Sequence, residues 1–350
     1  HRRSGIFGAP ARSQVDSAAA RSLGVDTFVI DSADEAINLA AIDVESSILV
    51  RLEVESSDTT MPLSTKFGVT AAGNLELARV CADLGLNIRG YVFHVGSQTR
   101  SAKPWARAVE ATASAIEVAA ATGHEIDTLD IGGGFPVPYR GSPVATIDEI
   151  ADTVYGALDS TGLTNMQLLA EPGRFLVAEA GEIHTTVLST TRDGNHARAV
   201  LDVGIFNGLY EVLEGIDYDF RVDLRESSRR SARLWQIAGP SCDGNDVLAT
   251  ERAMPEGLSC GDLVVVPDAG AYADSYASDF CGLDVPRVMI AAPGDAEPVG
   301  EGVVRMNSSS PLFATAKRLE LDLFTKAGLL DEDGSLRSYE KYDPHSVMNV

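Results

Sequence analysis

The strongest constraint on the fold is a cadence of short apolar runs in the first half of the chain. The runs are Gly5–Ala9, Thr27–Asp31, Ile48–Val54, Ile88–Val95, Ile126–Gly132 and Met166–Glu171, and their starts lie 22, 21, 40, 38 and 40 residues apart. Runs of this kind suit strands buried on both faces, and the intervals leave room for a helix between strands. That predicts βα units and a parallel sheet. Ser32-Ala33-Asp34-Glu35 and Thr146-Ile147-Asp148-Glu149 both read as capping boxes. Asn74 reads as an N-cap ahead of Leu75, Leu77, Val80 and Leu84. Trp105 to Ala121 reads as an Ala-rich helix with Val109, Ile116 and Ala120 on one face.

After about residue 175 the texture changes. β-branched segments at Ile183–Ser189, Ala197–Val203, Ala232–Ala238, Leu263–Val266 and Val285–Ala291 predict an antiparallel β domain with Greek-key or barrel closure. Pro293 to Gly302 reads as a linker, and Pro311 to Ala327 as a helix in a polar tail. The organisation expected is therefore 1–175, 176–292 and 293–350. A barrel of βα units closes with eight strands and carries its ligand groups at their C-terminal ends. Six runs leave two open edges. The expectation is a (β/α)8-type barrel lacking its first two units, or completed by another segment, followed by the β domain.

Charge narrows the function classes. With 51 acidic and 28 basic side chains the net charge is −23, which argues against nucleic acid and against an anionic membrane surface. No run approaches the ~20 apolar residues of a membrane span. The four cysteines, Cys81, Cys242, Cys260 and Cys281, lie far apart with no CxxC, which fits neither a zinc site nor a disulfide framework. The reading is a cytoplasmic, reducing setting with mostly buried thiols and no metal. The chain opens His1-Arg2-Arg3-Ser4 without Met, and the expectation is a processed, tagged or N-terminally incomplete chain.

Chemistry concentrates where runs end. His94 closes one run and is followed by Gly96 and Ser97. A neutral imidazole there can lie flat on an aromatic ligand and the hydroxyl can donate to a phosphate, although a single histidine beside a strand is also a common structural residue. Asp130-Ile131-Gly132-Gly133-Gly134-Phe135-Pro136 follows another run. Three glycines let backbone approach a ligand and can form an anion-binding concavity, or else make a tight turn. Glu171-Pro172-Gly173-Arg174 ends the sixth run with a carboxylate and a planar guanidinium fork. In the β half, Gly239-Pro240-Ser241-Cys242-Asp243-Gly244-Asn245-Asp246 sets a thiol beside a carboxylate, and Gly270-Ala271-Tyr272 sets a phenol after a flexible pair.

Together with Leu63 to Gly68, these segments resemble, in order and spacing over about residues 5–291, the pyridoxal-phosphate-dependent decarboxylases of the alanine racemase fold. That family includes ornithine, lysine and diaminopimelate decarboxylases. The resemblance implies pyridoxal phosphate as cofactor, with His94 stacked on its ring and Ser97, Gly132, Gly133, Gly134, Arg174 and Tyr272 on its phosphate. It implies that Glu171 keeps the pyridine nitrogen protonated. It implies that Cys242 returns a proton to Cα and that Asp243 binds the distal ammonium of an amino acid substrate. It also implies a homodimer with shared sites, and a carboxy-lyase that releases CO2 and a diamine, a step of polyamine biosynthesis. Diaminopimelate enzymes usually carry Cys-Glu in place of Cys242-Asp243, and an Arg within the segment here written Asn207 to Glu211. A distal carboxylate would instead meet Glu211 and Glu214, so ornithine or lysine is favoured. Racemases of the same fold lack the Cys-Asp pair.

One departure stands out. The family's Schiff-base lysine lies in an Ala-Val-Lys motif upstream of the first run, and none of Lys66, Lys103, Lys317, Lys326 and Lys341 matches it by position. The expectation is an incomplete chain of an active enzyme. The alternatives are a catalytically inactive homologue that binds a regulatory partner, as antizyme-binding relatives do, and a half-enzyme completed by a second polypeptide.

Overall fold

The computed structural model describes residues 5–56, 58–63, 66–194, 196–222, 231–291 and 303–307. The chain divides into two compact units, His1–Pro136 with Pro143–Pro172 and Val137–Ser142 with Gly173–Val350. Among the described residues no helix is long and apolar enough to cross a membrane.

The first unit is built on a six-stranded sheet. Its strands are β1 (Gly5–Phe7), β2 (Val25–Ile30), β3 (Ser47–Arg51), β5 (Asn87–Val92), β7 (Thr128–Asp130) and β8 (Gln167–Leu169), paired in that order. Every pairing is parallel. All six predicted runs are strands. Their shared order in sequence and in space is what successive βα crossovers of one hand produce. Helices α1 (Gln14–Ser22), α2 (Ala33–Ala40), α3 (Ala71–Leu84), α4 (Lys103–Ala121) and α5 (Ile147–Thr161) join them. A short antiparallel pair, β4 (Thr59–Met61) with β6 (Ser97–Thr99), was not legible in the sequence. Phe28, Ile30, Ile48, Leu49, Ile88, Tyr91 and Leu129 are fully buried, so the apolar runs do line the core.

Local chemistry departs from expectation in three places. Thr146 and Glu149 form a reciprocal capping box, whereas Ser32 caps Glu35 in one direction only. The Glu35 carboxylate lies 3.5 Å from Arg12 Nη2 instead. The N-cap of α3 is Thr70, and Asn74 sits inside the helix, fully buried. Its Nδ2 donates to Ala115 O (3.1 Å), and its Oδ1 accepts from the Tyr91 hydroxyl (3.0 Å), which ties α3, α4 and β5 together. On α4 the buried side is Trp105, Ala108, Val109, Thr112, Ala115 and Ala119, while Ala120 is exposed. The helix rotates to seat Trp105 against Phe135, ring centroids 5.3 Å apart.

The second unit begins with α6 (Gly173–Val177) and continues with β9 (Gly181–Asp193), β10 (His196–Leu201), β11 (Arg221–Val222), β12 (Ala232–Ala238), β13 (Val247–Pro255), β14 (Leu263–Val266), β15 (Arg287–Ala291) and β16 (Val303–Asn307). The sheet is mixed: most pairs are antiparallel, but β10–β12 and β15–β16 run parallel. β13 and β16 are strands that alternation in the sequence did not reveal. β16 pairs with β9. The linker predicted at 293–302 and the helix predicted at 311–327 lie outside the described residues. Of the cysteines only Cys81, on α3, is buried; Cys242, Cys260 and Cys281 lie outside the strands and are exposed, contrary to the expectation of mostly buried thiols.

The Asn74–Tyr91–Ala115 tie yields a test. Tyr91→Phe leaves a buried amide oxygen without its hydroxyl donor. It is expected to lower the unfolding free energy by about 1–3 kcal/mol in urea titration, with little change in helix content.

Candidate active site

In the first unit the site grows from the C-terminal ends of neighbouring strands. His94 follows β5, Gly132–Gly134 follow β7, and Glu171 follows β8. The glycines join them. A Cβ on Gly133 would lie 2.9 Å from His94 Nε2 and 2.8 Å from Glu171 O, one on Gly132 2.0 Å from Phe93 O, and one on Gly134 2.3 Å from Gly96 O. Gly132 and Gly134 also take positive φ, 63° and 97°. No other residue type fits this close approach. Glu171 N–H donates to Gly132 O (2.9 Å) and Thr99 N–H to Gly134 O (3.0 Å), which locks the three strand ends together. The imidazole, the glycine trio and the carboxyl-bearing residue thus share one location. Ser97, the first residue of β6, follows three residues after His94.

Electrostatics add Arg51 and Asp31, which sequence reading did not single out, and a part for Asp130 beyond opening the glycine segment. His94 Nδ1 accepts from Gly96 N–H (3.0 Å), which assigns the proton of the neutral ring to Nε2. Burial, aided by the positive charge of Arg51, pushes the imidazole down to about 4. Asp130 is buried, and its Oδ1 accepts from Gly132 N–H (2.9 Å). Burial and the negative charge of Glu171 push its carboxyl up to about 7. Glu171 opens to solvent at its strand end, yet the surrounding protein raises its carboxyl too, with Arg51 pulling the other way. Arg51 closes β3, and the negative charges of Asp31 and Glu171 act on it. Asp31, directly after β2, accepts from Gly68 N–H (2.9 Å) and anchors the Phe67-Gly68 loop. Asp31, Arg51 and Asp130 all end parallel strands. That position was the available signal, because ligand groups of such sheets collect there.

The second unit holds the remaining candidates in two places. Gly270 N–H donates to Ala178 O (2.9 Å), and a Cβ on Gly270 would lie 2.0 Å from Val177 O. This close contact carries Tyr272, at φ 61°, to Arg174, whose guanidinium carbon is 4.9 Å from the ring centroid. A non-glycine residue in the left-handed region is uncommon and is held there by its surroundings. Arg174 Nη1 donates to Tyr139 Oη (3.0 Å) and Glu211 Oε2 (2.7 Å), and Nη2 donates to Glu211 Oε1 (2.5 Å). Glu211 is therefore buried in an ion pair rather than exposed beside Glu214, where the sequence reading set both to meet a distal substrate group. Cys242 and Asp243 lie on the loop after β12. The buried Asp246 holds this loop: its Oδ1 accepts from Ile205 N–H (2.8 Å) and its Oδ2 from Ser241 N–H (2.9 Å). Cys242 is exposed, and Asp243 Oδ1 accepts from Asn245 N–H (2.8 Å).

The raised Asp130 predicts a pH dependence with a definite sign. Its folded value of about 7 lies above the ~3.9 of an unfolded chain, so the fold binds the extra proton and loses stability as pH rises from ~4 through 7. Asp130→Asn keeps the acceptor for Gly132 N–H and removes the titration. Calorimetry is expected to show its melting temperature above that of the wild type at pH 8, by several degrees, with the gap closing toward pH 4.

Residues 3–178 match the family described as pyridoxal-dependent decarboxylase, pyridoxal binding domain. A lysine/ornithine decarboxylase of Selenomonas ruminantium is 31% identical over 279 residues, covering 79% of this chain and 70% of the relative. Antizyme inhibitor 2 of Xenopus laevis is 27% identical over 307 residues, covering 82% of this chain and 66% of the relative. Among solved structures, lysine/ornithine decarboxylase of Vibrio vulnificus complexed with cadaverine superimposes with a TM-score of 0.71 at 29% identity, over 80% of this chain and 73% of that one. The chain belongs to the pyridoxal-dependent decarboxylases, and its cofactor is pyridoxal phosphate.

Proposed function

We propose that this chain serves the decarboxylation of a basic amino acid, ornithine or lysine, to a diamine and CO2. The observation that carries the reading is the meeting of His94, Gly132–Gly134 and Glu171 at the ends of three adjacent parallel strands. The residues fit a planar phosphate ester. The glycine turn excludes any Cβ, the adjoining imidazole is neutral, and a solvent-open carboxyl stands beside them. Bound pyridoxal phosphate supplies an electron sink for the pair of electrons left when CO2 departs.

The chain's own groups have distinct tasks. His94, uncharged at neutral pH, would offer a flat face to the pyridine ring without adding a positive charge. Glu171 would hydrogen-bond the ring nitrogen and hold a proton on it. Gly132 N–H is already donated to Asp130, so within the first unit the amides of Gly133 and Gly134, with Ser97, would donate to the phosphate, and the part of Tyr272 is the one the resemblance implies. Arg174 pairs with Glu211 at one edge of its guanidinium. Cys242 Sγ would deliver a proton to Cα, and the remaining oxygen of Asp243 would receive the distal ammonium. Asp246 aims both by fixing the backbone of their loop. A homodimer in which this loop serves a neighbouring copy is the assembly that the resemblance favours.

Similarity to antizyme inhibitor 2 supports a second reading, a partner-binding homologue without turnover. Two measurements separate the readings. Carboxyl-labelled ornithine or lysine is expected to release labelled CO2, with diaminopimelate inert. Release of none from either substrate by protein that does carry a cofactor-bearing lysine favours the second reading. In the turning-over enzyme Cys242→Ala is expected to lower kcat by about 10²-fold or more while cofactor affinity stays within about twofold, and equal loss of both overturns the role of the thiol. Borohydride reduction followed by peptide mass spectrometry is expected to leave Lys66, Lys103, Lys317, Lys326 and Lys341 without a pyridoxyl adduct. An adduct on any one of them contradicts its exclusion as the cofactor-bearing lysine.

A further inference from the structure

The register of the parallel sheet places the buried Asp130 among charged strand ends. Arg51, Val92, Asp130 and Leu169 are partners across β3, β5, β7 and β8. Asp31 stands level with Arg51, one residue beyond the Ile30–Val50 pair. Partners across parallel strands point to one face, and side chains two residues apart on a strand share that face. His94 lies two residues beyond Val92 and Glu171 two beyond Leu169. Asp130 therefore sits on the strand between those carrying His94 and Glu171, one layer below both. Ile131 N–H donates to Leu169 O and Glu171 N–H to Gly132 O, so the two strand ends stay joined through these layers. Strand spacing and rise set the Cα atoms of Asp130 and Glu171 ~8 Å apart, near enough for two carboxylates to repel. The layers bring together the carboxyls of Asp31, Asp130 and Glu171, the guanidinium of Arg51 and the neutral His94. Asp31 accepts from Gly68 N–H, and the charge of Arg51 acts on Asp31 and Glu171. Asp130 Oδ1 accepts from Gly132 N–H, a bond that a carboxyl oxygen makes whether or not the group carries a proton. The glycine turn is thus held in either state. Burial and the charge of Glu171 favour the protonated state of Asp130. The repulsion is one energy belonging to the pair, so a cation that neutralises Glu171 relieves Asp130 as well.

We infer that Asp130 is a positioning residue acting through charge: near neutral pH it and Glu171 hold one proton between them, and Asp130 gives that proton up when Glu171 meets a protonated pyridine nitrogen. The O–H bond of Asp130 breaks, its electron pair stays on the carboxylate, and the proton passes to solvent. While the site is empty, the proton on Asp130 spares Glu171 a second buried negative charge beneath it. Asp130 thereby adds a proton release to binding, and its contribution strengthens binding as pH rises. The inference rests on the proposed bond between Glu171 and the ring nitrogen.

Titration calorimetry of the full chain with pyridoxine 5′-phosphate, run in two buffers of different ionisation enthalpy, counts the protons released on binding. This ligand keeps the ring nitrogen and the phosphate ester but has no aldehyde, so no lysine adduct enters the count. Asp130→Asn keeps an acceptor for Gly132 N–H and cannot titrate. At pH 7 the wild type is expected to release about 0.3–0.5 proton more per site than Asp130→Asn, because proton uptake by the ring nitrogen is common to both. At pH 9, where Asp130 is ionised throughout, the two counts are expected to converge. Equal counts at pH 7, which a purely structural Asp130 would give, overturn the inference. Infrared titration of the unliganded chain reads the pair by itself. The protonated-carboxyl band that disappears near neutral pH in wild type is expected to disappear about one pH unit lower in Glu171→Gln. An unmoved midpoint overturns the shared proton, and this measurement decides alone should Asp130→Asn not fold. A shifted midpoint in a chain that binds no pyridoxine 5′-phosphate upholds the shared proton and removes the cofactor role of Glu171 instead.

Discussion

The close approach of the Gly132–Gly134 turn to its neighbouring strand ends is the contact on which the first unit's chemistry depends. Atoms of Phe93, His94, Gly96 and Glu171 occupy the space that side chains on these three residues would need. Bringing backbone this near to backbone is costly unless the polar groups are satisfied, and here the Glu171 and Thr99 amides donate into the turn while Asp130 accepts from it. A turn built in this way fixes His94 and Glu171 relative to each other without relying on their own side-chain rotamers. Preorganisation of this kind is what a site needs when the reacting group is a rigid planar ring.

Around that turn, charge is arranged in layers. Asp130 sits in the interior and Glu171 at the solvent-open rim, with Arg51 acting on Glu171 from the end of β3. Burial raises both carboxyls, the charge of Glu171 raises Asp130 further, and the Arg51 guanidinium opposes the rise at Glu171, which makes the protonation of the rim carboxylate adjustable by its surroundings. His94 goes the opposite way and stays neutral because burial and Arg51 both disfavour its cation. The pattern separates the tasks of neighbouring groups: an uncharged flat ring, and a carboxyl able to share a proton.

The second unit follows a different logic. There a positive charge is buried and answered by a dedicated carboxylate, with tyrosines filling the rest of the shell. A buried pair of this kind adds little net stability but strongly restricts which groups sit around it. Asp246 does comparable work for the Cys242–Asp243 loop, using backbone amides in place of a cation. Both devices hold residues in place from behind, so that the residues at the surface are free to meet other molecules.

Much of this was legible in the chain. The six apolar runs gave six parallel strands, because residues buried on both faces must be apolar throughout and strand spacing reflects the helix between. His94, the glycine trio and Glu171 were visible as polar or flexible residues at the ends of those runs. The internal position of Asn74, the one-sided cap at Ser32 and the exposure of three cysteines were not visible. Each depends on a partner distant in sequence, Ala115 and Tyr91 for Asn74 and Arg12 for Glu35, or on which side of a turn faces solvent. The same holds for Arg51 and Asp130, whose roles arise only when separate strand ends stand side by side, and for Glu211, which sequence set at the substrate and folding set against Arg174. Local pattern determined which segments become strands and which residues stand at their ends. Only the tertiary structure decided which charges share a low-dielectric space, because that depends on distances between residues that the order of the chain leaves open.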